Sequence, residues 1–141
     1  AVDISGSMRD TDIALGFSVI NRFYKSGIDR LDAIAFDTEI HGEALTLKRA
    51  RREFRVQGRG GTDFNAVIDY LDAHPGYDGA IIFTDGLAPP PRPPRDRRTR
   101  LLWLFLDEQT WRAGAAPLRP LGRTLFLRTA GSAPDQGSRS A

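Results

Sequence analysis

The chain of 141 residues contains no cysteine. That excludes a disulfide framework, a thiolate metal site and a cysteine nucleophile, and it fits an intracellular, cytoplasmic protein. Lysine is nearly missing as well, with Lys25 and Lys48 the only two. Histidine is confined to His41 and His74, too few and too far apart in sequence to suggest a zinc site. Long hydrophobic runs are absent. The longest, near 79–83 and 101–106, are the length of a strand and far short of a membrane span, so no membrane association is expected. No secretory signal pattern is visible. Residue 1 is alanine, and the chain is expected to be a fragment or the product of a mis-started gene.

What is present is a balanced, globular composition. Lys plus Arg number 20 against 18 Asp plus Glu, a net charge of only +2. One domain with one core of moderate size follows from the length and the 40% hydrophobic content. The arginines cluster at Arg49, Arg51, Arg52, Arg55 and Arg59, and again at Arg92, Arg95, Arg97, Arg98 and Arg100. Such clusters can bind nucleic acid. With the global charge nearly balanced, a solvated surface is expected instead.

The hydrophobic pattern sorts the chain into elements. Residues 1–4 read as the end of a strand. Thr11 and Asp12 carry N-cap chemistry before Ile13, Phe17, Ile20 and Tyr24, which share one helical face, and Gly27 is placed to stop that helix. LDAIAF (31–36) and EIHGEALTL (39–47) read as a hairpin turning at Asp37-Thr38. Residues 48–57 are ambiguous. After a glycine-rich turn, Phe64, Val67, Ile68 and Leu71 mark a helix ending before Pro75-Gly76. GAIIFTDG (79–86), LLWLFL (101–106) and RTLFLR (123–128) read as apolar strands. Apolar strands alternating with helices indicate an α/β fold: a Rossmann-like, open, mostly parallel sheet with one antiparallel edge hairpin and a first strand cut short at its N-terminal side. The domain is expected to span 1–128, followed by a disordered polar tail, 129–141. The loop APPPRPPRDRRTR (88–100) is expected to be an extended surface linker.

Three short motifs share a position in this scheme. DISGS leaves the first strand, GGTD precedes a helix, and TDG leaves a later strand. In an open parallel sheet the carboxyl ends of the strands line the binding crevice where strand order reverses. If the first strand and the TDG strand are neighbours there, Asp3, Ser5, Ser7, Thr62 and Asp85 converge. Two carboxylates and three hydroxyls form an all-oxygen set, suited to a hard divalent cation such as Mg²⁺ and unsuited to zinc. His41, His74, Trp103 and Phe64 are expected to be structural.

The D-x-S-x-S pattern at 3–7, followed in order by Gly-Gly-Thr62 and Thr84-Asp85-Gly86, resembles von Willebrand factor A-type domains with a metal-ion-dependent adhesion site. Over roughly 1–128 the chain is similar, more narrowly, to the bacterial VWA-like domain at the C-terminus of predicted metallopeptidase-like proteins. Those proteins are often linked to MoxR-type AAA+ ATPases. The resemblance implies that Ser5, Ser7 and Thr62 hold Mg²⁺ (or Mn²⁺ or Ca²⁺) through their hydroxyls, with Asp3 and Asp85 acting directly or through water. It further implies a protein partner that supplies an acidic residue, for instance a MoxR-type ATPase, and a binding role rather than an enzymatic one. The H-E-x-x-H signature of the peptidase-like domain is missing from this chain. The competing enzyme class is a Mg²⁺-dependent phosphohydrolase using Asp3. Enzymes of the haloacid dehalogenase kind want a second aspartate two residues later, where this chain has Ser5.

Overall fold

A computed structural model describes residues 1–28, 30–47 and 61–128, with the backbone alone at 24 and 42–47. The expected tail 129–141, the ambiguous segment 48–57 and the first arginine cluster lie outside the described residues. The elements run β1 (Val2–Asp3), α1 (Asp10–Lys25), β2 (Leu31–Phe36), β3 (Ile40–Leu47), α2 (Asn65–Ala73), β4 (Gly79–Thr84), β5 (Arg100–Phe105), α3 (Glu108–Gly114), a 3₁₀ helix (Ala116–Leu121) and β6 (Arg123–Phe126). The strands form one sheet in the order β3-β2-β1-β4-β5-β6. Among the described residues only the β2–β3 pair is antiparallel. This is the expected α/β, Rossmann-like architecture with its edge hairpin.

Both faces of the sheet are covered, which is why β4 and β5 read as continuous apolar runs. On one face Ile13, Phe17 and Ile20 of α1 pack against Val2, Phe83 and Leu104. Gly16 lets α1 come this close, because a Cβ there would stand 2.5 Å from the Phe83 ring. On the other face Phe64, Val67 and Ile68 meet Ile82, Trp103 and Phe105. The Phe64 and Trp103 rings contact edge-to-face at 5.0 Å, a geometry that adds about 0.5–1.5 kcal/mol to simple burial. Phe64 and Trp103 are thus core residues, as expected.

Several elements depart from the sequence reading. Helix α1 begins at Asp10, ahead of the expected caps. Asp12 instead reaches back, its Oδ2 accepting from the Arg9 backbone N–H at 3.0 Å, half of a capping box. Helix α3 was not anticipated. It is nucleated by Asp107 and Thr110, each side chain bonding the other's backbone N–H. β6 was expected to be a fully apolar strand but is a four-residue edge strand with alternating exposure, Leu125 being 44% exposed. One of its faces is covered, with Trp111 packed on Phe126 and bonded through Nε1 to Thr124. The Pro/Arg loop is strapped down rather than free. Pro91 and Pro94 are buried, Arg92 pairs with Asp69 and Asp72, and the Arg95 N–H donates to Asp72. A module that reads proline faces would find these two covered.

β1 is the central strand yet has only two strand residues. Ala1 adds one step, its nitrogen donating to the Ile81 carbonyl and its carbonyl accepting from the Phe83 N–H. Val2 then meets Ala35 of β2 and Phe83 of β4 in parallel register.

One outcome follows. At Asp12, burial pushes the carboxyl up, but the bonds and charge of Arg9 outweigh it and leave the group below its ordinary value. A carboxylate depressed in the folded state contributes stability above its unfolded pKa and loses it as pH falls through the folded value. Asp12→Asn should therefore lower the urea midpoint at neutral pH, and the gap to wild type should narrow as pH drops below about 4.

Candidate functional site

The strand order places β1 between β2 and β4, so the chain direction of the crossovers reverses at the β1–β4 junction. Asp3 ends β1 there and Asp85 immediately follows β4. The Asp3 carboxylate is fully buried and holds both segments. Its Oδ1 accepts from the Ser5 N–H at 2.9 Å. Its Oδ2 accepts from the Thr84 hydroxyl at 2.6 Å. The first bond folds DISGS back on itself, the local turn that an aspartate two residues upstream makes. The second ties β1 to β4. Ser5 Oγ and Ser7 Oγ then stand 3.3 Å apart, Ser5 buried and Ser7 exposed.

The TDG turn is equally fixed. Thr84 Oγ1 accepts from the Gly86 N–H at 3.0 Å, and Asp85 Oδ1 accepts from the Leu87 N–H at 3.0 Å. Gly86 has φ +78°, and a Cβ there would lie 2.4 Å from the Phe105 ring. Only glycine satisfies both the backbone and the space. Thr62 stands half-buried at the carboxyl end of β2, on the loop leading into α2. That loop is pinned where the Asp63 N–H donates to the Asp37 carbonyl at 2.8 Å. Among the described residues no hydrogen bond joins Thr62 to the other four candidates. Asp63 serves the helix start, its Oδ1 accepting from the Asn65 N–H.

Burial raises the Asp3 pKa. Hydrogen bonds from Ser5 and Thr84 oppose that rise, and the Asp85 charge adds to it. Two largely buried carboxylates within electrostatic reach are a cost that a cation at this edge would relieve. Among the described residues no three His, Asp or Glu side chains gather around one point, so an ion here would lean on neutral hydroxyls. The Ser5–Ser7 separation fits that role. Adjacent ligands of an octahedral Mg²⁺ bonded at 2.0–2.1 Å lie roughly 3 Å apart. The donor set therefore suits a hard divalent ion.

Two contributors escaped the sequence reading. Thr84 was quoted within TDG but not given a role, and it proves to be the brace of Asp3. Its signal was available as a hydroxyl at the end of an otherwise apolar strand. His41 was expected to be structural, and the partner it takes was not named: its Nε2 lies 2.6 Å from Asp37 Oδ1. His74 is structural as expected, stacked on Tyr70 at 4.0 Å.

The family model described as "VWA-like domain (DUF2201)" matches residues 1–128. The chain belongs to the VWA-like domain family. No curated protein and no solved structure matches it. VWA-like domains generally mediate protein–protein interaction and are generally non-catalytic. Among the described residues of this VWA-like domain, no helix is long and apolar enough to cross a membrane. Its DISGS and TDG segments leave neighbouring strands, β1 and β4, at their carboxyl ends.

The brace makes a sharp expectation. Thr84→Val keeps the shape but strips a donor from buried Asp3 and an acceptor from Gly86. It should destabilise the domain by about 1–3 kcal/mol in urea unfolding. Thr84→Ser should recover most of the loss.

Proposed function

We propose that this VWA-like domain is a divalent-metal-dependent protein-interaction module. Asp3, Ser5, Ser7, Thr62 and Asp85 form its metal-ion-dependent adhesion site, with Mg²⁺ (or Mn²⁺ or Ca²⁺) as the ion and a partner's acidic side chain as the captured group. The observation that carries this reading is the cluster of Asp3, Ser5, Ser7 and Asp85 at the β1–β4 switch point, with two hydroxyls 3.3 Å apart. Both Asp3 oxygens already accept bonds from the fold, which favours a supporting role, through water, for this carboxylate. Ser5, Ser7 and Thr62 offer neutral oxygens, and Asp85 bounds the site from β4. A bound divalent ion, held mainly by neutral groups, would supply the uncompensated positive charge that attracts a carboxylate. No residue here is asked to move a proton, so the chemistry is binding.

The resemblance to VWA-like domains of metallopeptidase-like proteins favours a bacterial, cytoplasmic setting within a larger protein. It also favours a MoxR-type AAA+ ATPase as the class of partner. Nucleic acid is disfavoured at the second arginine cluster, where Arg92, Arg95 and Arg98 face Asp69, Asp72 and Asp96.

Linkage provides the test. A ligand at a hundred times its Kd stabilises by about 2.7 kcal/mol, on the order of 10 °C in Tm for a domain of this size. Adding MgCl₂ to EDTA-treated protein should produce a shift of that order. Asp3→Ala should abolish it, and so should Ser7→Ala, a change at an exposed position with little effect on the fold. A wild-type melting curve unmoved by Mg²⁺, Mn²⁺ and Ca²⁺ would sink the proposal.

A further inference from the structure

The loop bearing Thr62 is seated on the tip of the β2–β3 hairpin, and one residue organises that tip. Asp37, 4% exposed, has its N–H bonded to the Glu39 carbonyl at 3.0 Å. Its Oδ1 accepts from the Glu39 N–H at 3.1 Å and from His41 Nε2 at 2.6 Å. These bonds fix the backbone of Asp37, whose carbonyl oxygen in turn takes the Asp63 N–H at 2.8 Å. Gly61 lies beside it, where an added Cβ would stand 3.6 Å from Thr38 Cγ2. Thr62 is the residue between Gly61 and Asp63, so the bond at Asp63 is one residue away from it. The His41 side chain is 21% exposed and covers a carboxylate that is 5% exposed. It supplies a donor from the solvent side to a group otherwise closed in.

We propose that Asp37, clamped by His41, is the positioning residue for Thr62. The pair sets where the Thr62 hydroxyl stands against Asp3, Ser5, Ser7 and Asp85, and so sets the affinity of the candidate metal centre. The inference rests on the metal reading above. Groups that hold a ligand in place from behind commonly change metal affinity by about 10- to 100-fold when removed. Here the chain of contact is short and entirely hydrogen-bonded up to the residue after Thr62.

The test uses the full chain and Mg²⁺ as probe, with two readouts. Calorimetric titration should show His41→Ala binding Mg²⁺ about tenfold more weakly than wild type. His41→Gln places an amide N–H near the original Nε2 and should restore most of the affinity. In a Thr62→Ala background, His41→Ala should add no further loss, because the residue it positions is gone. Amide exchange followed by NMR in EDTA should be faster at Asp63 in His41→Ala than in wild type. Unchanged Mg²⁺ affinity in His41→Ala overturns the inference, and so does a loss that is additive with Thr62→Ala. An Asp63 amide as protected in His41→Ala as in wild type overturns it too, independently of any metal. A wild-type chain that takes up no Mg²⁺ overturns the metal reading and this inference together.

Discussion

The bond from the Thr84 hydroxyl to the Asp3 carboxylate is the constraint on which the site depends. A carboxylate with no solvent exposure is expensive to bury and is tolerated only when its oxygens are satisfied. Here one oxygen is satisfied from within its own loop and the other from the neighbouring strand. Satisfying Asp3 thus closes the DISGS turn and locks β1 to β4 in a single act. The turn that results carries the Ser5 and Ser7 hydroxyls to one place.

The same logic runs outward from the switch point. Thr84 also accepts from the Gly86 N–H, the Phe105 ring leaves no room there for a Cβ, and Asp85 Oδ1 accepts from the Leu87 N–H. On the other side, the Asp37 carbonyl fixes the segment that follows Thr62. Among the described residues, the DISGS turn and the segment after Thr62 are each tied by a short bond to a neighbouring strand or hairpin, and the TDG turn is closed by its own. Preorganisation of this sort lets hydroxyls, which are weak ligands one by one, act as a set.

Much of this was legible in the sequence because periodicity is loud where burial is two-sided. Val67 and Ile68 on α2, and the runs of β4 and β5, read unambiguously as a helix face and buried strands, and their order led directly to the α/β sheet. Asp3, Ser5, Ser7 and Asp85 were legible as a cluster because strand ends in a parallel sheet share one edge. What the sequence did not reveal depends on partners distant along the chain. Nothing local says that β6 is an edge strand with one open face, that Arg92 and Arg95 would find Asp69 and Asp72, or that His41 would reach back to Asp37. The start of α1 was misjudged because Asp12 bonds backward to Arg9 instead of forward, and both uses of an aspartate look alike in sequence. Helix α3 was missed because seven residues hold too few apolar positions to display a period.

The bond between Asp3 and Thr84 gives the candidate site and the fold a shared fate. Asp3 Oδ1 closes the serine turn while Oδ2 joins β1 to β4. Parting those two strands therefore also frees the carboxylate that shapes the turn. The candidate metal centre cannot loosen by itself, because whatever unzips β1 from β4 dismantles it in the same event.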